Sequence, residues 1–212
     1  MTIYYGGEDD VTRYIARKLV YAISNELELN NVSIEDVGIR ERGTAIKNKL
    51  QQLVRLGKKT PVVFVFDSDG DCVVDILKQA CPEGWTDSFC ALNIAIDEGE
   101  SWLLADKRGF ADYFGVAVED IQISQETGEV TYPYKTSLYI MKNIIPKSKK
   151  KEIRENMCCT ERGKKPATYN MFWGNYIDNV WNMNEAGKIS DSLSKSINRV
   201  KERLFRYIQV SD

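Results

Sequence analysis

The chain has 212 residues, of which 43% are hydrophobic and 28% charged, with a formal net charge of −2; this is globular composition, enough for one substantial core or one domain with a smaller one appended. There is no histidine, which excludes catalysis by an imidazole base, the serine-hydrolase triads and the His-ligated zinc proteases included. No apolar run approaches the ~20 residues of a membrane span, and MTIYYGGEDD lacks the basic-then-apolar order of a signal peptide, so the expectation is a cytoplasmic protein with no membrane attachment.

Thr2–Gly7 is β-prone and runs into a segment whose Val11, Tyr14, Ile15, Leu19, Ala22, Ile23 and Leu27 recur every three or four residues, the pattern of a helix with one apolar face. The glycines between them satisfy neither GxGxxG nor GxxxxGK[ST], so neither a dinucleotide fold nor a P-loop is expected. Ser33–Ile39 reads as a second strand, and Ile46, Leu50, Leu53 and Val54 line a second helix stopped by Gly57. Val62–Phe66 is β-branched or aromatic throughout, as in a strand covered on both faces, and it ends in three carboxylates at alternate positions, Asp67, Asp69 and Asp71. A helix over Val73–Ala80 and a fourth strand over Phe89–Ile96 follow. The alternation predicts an α/β fold, a parallel sheet with helices on both faces.

A second acid-rich exit, DEGESWLLADKRGFADYFG, leaves the fourth strand and enters a helix. If the strands are parallel, Glu8 from the first, Asp67 and Asp69 from the third, and Asp97, Glu98 and Glu100 from the fourth share one edge, the edge where open α/β sheets bind ligands. Carboxylates gathered without matching bases call for a hard cation, and Mg²⁺ takes one or two of them while keeping waters.

Beyond Gly115 the chain reads as a hairpin over Asp120–Tyr132 and then helices over Ser137–Ile145, Lys149–Cys158, Tyr169–Met183 and Ile189–Ile208, which places a domain at 1–115 and a mainly helical, basic region at 116–212. Residues 1–106 carry 11 Lys/Arg against 18 Asp/Glu, a charge of −7, and residues 107–212 carry 18 against 13, a charge of +5. Between Lys135 and Lys165 ten Lys/Arg face three Asp/Glu, flanked by Tyr132, Tyr134, Tyr169, Phe172 and Trp173. Basic residues among aromatics suit a nucleic-acid track, with Lys142, Lys147, Lys149, Lys150, Lys151, Arg154, Lys164 and Lys165 meeting phosphates. Cys72, Cys81, Cys90, Cys158 and Cys159 show no CxxC pairing and read as reduced, mostly buried thiols.

Glu8 after the first strand and Asp67-x-Asp69 after an apolar one resemble the TOPRIM arrangement shared by topoisomerases, bacterial primases and the overcoming-lysogenization-defect nucleases. Glu98 followed by Glu100-Ser101-Trp102-Leu103-Leu104-Ala105-Asp106 is similar to a motif of short bacterial TOPRIM-like proteins of unassigned function, whose C-terminal serine-containing helix is echoed by SDSLSKSINRV. The likeness covers roughly residues 1–110, with the glycines of GGEDD standing before the glutamate where the family has them after it. It implies a TOPRIM-like Rossmannoid fold, one or two Mg²⁺ or Mn²⁺ ions, and phosphodiester hydrolysis of DNA or RNA, with a separate ATPase as partner in anti-phage defence. On that pattern Asp67 and Asp69 bind the first ion, with Asp71 as a possible substitute. Glu98 or Glu100 helps to hold it or a second ion, Glu8 acts as base or bridging ligand, and Lys107 balances developing charge. The rivals are a non-catalytic TOPRIM-like subunit that binds nucleic acid or an ATPase, and a phosphatase or nucleotide-handling enzyme. Oligomerisation stays open.

Overall fold

Val62–Asp67 forms β3, an inner strand of a sheet in which the apolar run of the sequence is buried on both faces. The computed structural model describes residues 1–39, 44–82, 84, 88–122, 135–160 and 163–211. The fold is α/β: β1 (Thr2–Gly7), β2 (Ser33–Asp36), β3 and β4 (Cys90–Ala95) form a parallel sheet in the order β2-β1-β3-β4. Helices flank it, and the C-terminal region is helical. The strands are joined by α1 (Asp10–Glu26), α2 (Thr44–Leu56) and α3 (Val73–Ala80).

Right-handed crossovers put α1 on one face of this sheet and α2 and α3 on the other, because the chain steps one way from β1 to β2 and the opposite way thereafter. Side-chain alternation agrees. Val62, Phe64, Phe66, Cys90, Leu92 and Ile94 join Ile46, Leu50, Leu53, Ile76 and Ala80 in one buried cluster. Ile3, Val63 and Val65 belong to the opposite face, with α1 packed on β1 and β3. The glycines at the end of β1 are steric clearances. A Cβ on Gly6 would come within 2.6 Å of Val37 Cγ1 and 2.9 Å of the Phe64 ring, and one on Gly7 within 2.3 Å of the Arg13 backbone nitrogen.

Two compact units are present, Met1–Ala95 with Lys195–Asp212, and Ile96–Ser194. The first is closed by the end of α10 (Asp191–Ser211), a helix whose stripe of Leu193, Ile197, Val200 and Leu204 is buried. From Lys195 onward it runs beside β4, an edge strand. Arg199 Nη1 donates to Leu92 O at 3.0 Å and to Asn93 Oδ1 at 3.2 Å, Tyr207 meets Phe89 edge to face, and Lys201 pairs with Glu26 at 2.6 Å.

The second unit contains α4 (Glu100–Ala105), α5 (Lys107–Phe114), α6 (Thr136–Tyr139), α7 (Lys151–Met157), α8 (Tyr169–Asn179) and α9 (Met183–Ile189), with a π-helical turn over Ile140–Ile144 extending α6. Its core is aromatic, Phe114 stacking against Phe110, Trp173 and Tyr176 with ring centroids 4.5, 5.1 and 5.4 Å away.

Several expected boundaries shift for local reasons. β2 ends at Asp36, whose Oδ1 accepts from Gly38 N at 2.7 Å, with Gly38 at φ 78°. The helix expected after the fourth strand is broken at Asp106, and the one expected over Tyr169–Met183 is broken after Asn179, where Asn182 caps α9 by accepting from Asn184 N and Glu185 N. Ile189 ends α9 and is exposed, while Ser190 Oγ accepts from Leu193 N, so the last helix starts later than its periodicity suggests. Nearly all of the expected hairpin over Asp120–Tyr132 lies outside the described residues; Val118–Asp120 is a 3₁₀ turn. Among the described residues no helix is long and apolar enough to cross a membrane. Cys81 and Cys90 are buried, burial pushing the Cys90 thiol up to about 12, whereas Cys72 is exposed and Cys158 and Cys159 are half-buried.

Candidate functional site

In the order β2-β1-β3-β4 the direction of winding reverses between β1 and β3, and in open α/β sheets the crevice outside the carboxyl ends of two such strands is the place for a ligand. Both strands leave this crevice through acids. Gly7 pairs with Val65 and Glu8 N donates to Val65 O at 3.2 Å, so Glu8 continues the ladder of β1 as Asp67 ends β3 one position further along. Glu8 is half-buried, with Oε2 shielded from solvent. Its two acidic neighbours have structural work. Asp9 is the N-cap of α1, accepting from Thr12 N at 2.9 Å while Thr12 Oγ1 accepts from Asp9 N at 2.9 Å, and Asp10 pairs with Arg13 at 2.7 Å.

After Asp67 the chain turns sharply. Asp71 N donates to Ser68 O at 2.7 Å across Asp69 (φ 49°) and Gly70 (φ 86°), a turn with both central residues left-handed. Asp and Gly are residues that accept this conformation. Asp69 and Asp71 are exposed and Asp67 half-buried. Carboxylate oxygens are the donors Mg²⁺ prefers, and it needs only one or two of them, so Glu8, Asp67 and Asp69 fit such an ion chemically. Among the described residues, no group of three or more His, Cys, Asp or Glu is gathered as a metal cage.

Glu98 and Glu100 belong to the second unit, where protein groups engage them. Asp97 Oδ2 accepts from Thr136 N at 2.8 Å and from Thr136 Oγ1, and Glu98 accepts from Ser137 N at 2.6 Å and Ser137 Oγ at 3.1 Å. The two acids thereby cap the first turn of α6, whose N–H groups have no partner within the helix. Glu100 Oε1 accepts from Tyr169 OH at 2.7 Å and from Lys165 Nζ at 3.2 Å, while Lys135 Nζ stands 3.8 Å from Glu98 Oε1. Glu98 is 4% exposed and Glu100 1%. Burial, and then the charge of Glu100, push the Glu98 carboxyl up to about 7 against the opposing pull of Ser137 and Lys165. Burial and Glu100 also hold the Tyr169 phenol far above its ordinary range, so it stays a donor.

The rest of the tryptophan motif is architecture. Trp102 Nε1 donates to Ser192 Oγ at 2.8 Å, and Trp102, Leu103 and Leu104 are fully buried. Asp106 accepts from Gly109 N at 3.1 Å and from Asn182 N at 2.8 Å; a Cβ on Gly109 would lie 2.3 Å from its Oδ2. Lys107 opens α5 in the second unit.

Many of the basic residues expected to track nucleic acid serve the second unit itself. Lys150 Nζ donates to Asp112 O and Tyr113 O at 2.9 and 2.7 Å, tying down the carboxyl end of α5. Lys147 pairs with Asp120 at 2.7 Å and Lys151 with Glu155 at 3.6 Å, and Arg154 donates to Ser148 O. Lys165 joins Glu100 and stands 4.8 Å from the centre of the Tyr169 ring. Lys142, Lys149 and Lys164 are exposed.

Fold and edge thus define an α/β protein with carboxylates at the switch point of a parallel sheet. No family model, curated protein or solved structure matches the chain. Sequence reasoning missed the partners that engage the second acid set, Thr136, Ser137 and Tyr169. They lie 39 and 69 positions away, where no local spacing could point to them.

Proposed function

We propose that this chain is a divalent-cation-dependent nuclease whose centre lies at the carboxyl ends of β1 and β3, with Glu8, Asp67 and Asp69 as its residues. The observation that carries the reading is that the two strands flanking the reversal of winding both lead into acids, Glu8 directly after β1 and Asp67 as the last residue of β3. A bound Mg²⁺ or Mn²⁺ would supply positive charge against the scissile phosphate and acidify the attacking water. Asp67 and Asp69 hold and orient that charge, and Glu8 accepts the proton at its carboxylate. The TOPRIM resemblance extends the reading to an effector subunit that cuts DNA or RNA beside a separate ATPase. The protein-engaged state of Glu98 and Glu100 favours a second reading, a non-catalytic subunit of the same fold that binds nucleic acid or that ATPase.

Nicking of plasmid and degradation of single strands, each with and without Mg²⁺ or Mn²⁺, decide between them. Glu8→Gln and Asp67→Asn are expected to lower cleavage by about 10²–10⁴-fold, the usual cost of losing a catalytic base or its metal support. The metal should raise the melting temperature of the wild type and leave that of Asp67→Asn unmoved. Cleavage that survives both substitutions overturns the assignment.

A further inference from the structure

We propose that the cavity between α3, β4 and α10 is a binding site for a phosphate group, held by Arg199 and Arg203. It has a volume of about 140 Å³ and is lined by Leu77, Leu92, Arg199 and Arg203, all within the first unit. A single water needs roughly 10–15 Å³ on the same measure, so the space admits a tetrahedral oxyanion. The two arginines stand one helical turn apart on α10, a spacing at which like charges repel.

Arg199 is anchored by Leu92 O and Asn93 Oδ1, and both bonds are made by Nη1, so Nε and Nη2 are not used by them. Asn93 is itself fixed by donating from Nδ2 to Ala91 O at 3.0 Å. The first guanidinium is therefore held rigidly, which lowers the entropy lost when it binds. Burial and the neighbouring charge of Arg203 both disfavour the Arg199 cation, with Glu202 opposing them from the solvent side. Guanidinium stays charged under such pressure. An anion between the two would relieve the repulsion. Leu77 and Leu92 wall the cavity with apolar surface, where a charge-assisted bond is stronger than in water, and the planar forks of two arginines match phosphate oxygens in pairs. Among the described residues, no acidic side chain lines the cavity.

The experiment uses the whole chain in a chelator, so that it stands apart from any metal chemistry at the other edge. Melting temperature is followed as inorganic phosphate, or adenosine 5′-monophosphate, replaces chloride at constant ionic strength. The wild type is expected to show a saturable rise. Arg203→Gln should weaken the apparent affinity about 10- to 100-fold, the cost of removing a charge-assisted bond. Leu77→Asp, which leaves both arginines in place and adds a competing carboxylate to the wall, should abolish the rise. A response to both probes identifies the phosphate of a nucleotide as an acceptable source, and a response to inorganic phosphate alone identifies the free ion. No saturable rise, or one that Arg203→Gln and Leu77→Asp leave unchanged, overturns the proposal.

Discussion

Asp67 and Asp69 at the end of β3, and Glu98 and Glu100 just beyond β4, come from the same kind of sequence, an apolar strand released into carboxylates. Their surroundings are opposite. In the first unit Asp67 stands just before, and Asp69 within, a left-handed turn at the crevice where the sheet reverses its winding, and Asp69 and Asp71 face solvent. In the second unit Glu98 and Glu100 are buried against a helix start, a lysine and a phenol that never ionises near neutral pH. The same sequence pattern thus yields exposed carboxylates at a sheet crevice in one unit and buried, capped ones in the other, and burial is what separates them.

The sharpest way to break this comparison is to measure cleavage and melting side by side. Asp67→Asn should lose about 10²–10⁴-fold in rate while melting normally. Glu100→Gln should melt earlier, its remaining activity following the folded fraction. A Glu100→Gln protein that melts like the wild type yet fails to cut would join the two acid sets in one role. Trp102→Ala tests whether the tryptophan motif is architecture. It should cost about 3–5 kcal/mol by chemical denaturation, and a smaller loss would mean that the buried indole is dispensable to the second unit.

Protonation sharpens the contrast further. Folding raises the Glu98 carboxyl from its ordinary 4.5 to about 7, so the folded state binds the proton more tightly than the unfolded chain. The contribution of Glu98 to stability is full below 4.5 and is lost as pH rises through about 7. Denaturation between about pH 5 and 8 should show that decline, and Glu98→Gln should flatten it. The smallest effect is expected at the first-unit cap. Asp9→Ala should cost about 1 kcal/mol and spare the metal response, since its carboxylate is spent on Thr12 N.

The sheet was legible because its signals are local. Val62–Phe66 could only be a buried strand, and the three- and four-residue spacing of Val11, Ile15 and Leu19 could only be a helix against it. The acids just beyond β1 and at the end of β3 followed from those strands. What stayed hidden was non-local. The engagement of Glu98 depends on Ser137 and that of Glu100 on Tyr169, and the exposed basic run beginning at Lys147 has acceptors, Asp120 and the carbonyls of Asp112 and Tyr113, that lie in other elements. The helix breaks at Asp106 and Asn182 were written as caps, yet each reads equally well as a surface polar residue inside an uninterrupted periodic pattern.

The return of α10 to β4 has a consequence in time. The first unit consists of residues 1–95 and 195–212, so on the ribosome its outer strand is finished before the helix that covers it exists. At ~5–20 residues per second, translating the intervening segment takes about 5–20 s. Throughout that interval the outer ladder of β4 lacks Arg199 and Tyr207 and offers itself to any extended strand nearby. Slowing synthesis within 96–194, or stopping it there, should therefore turn this protein toward aggregation more readily than a destabilising substitution of equal cost in the finished molecule.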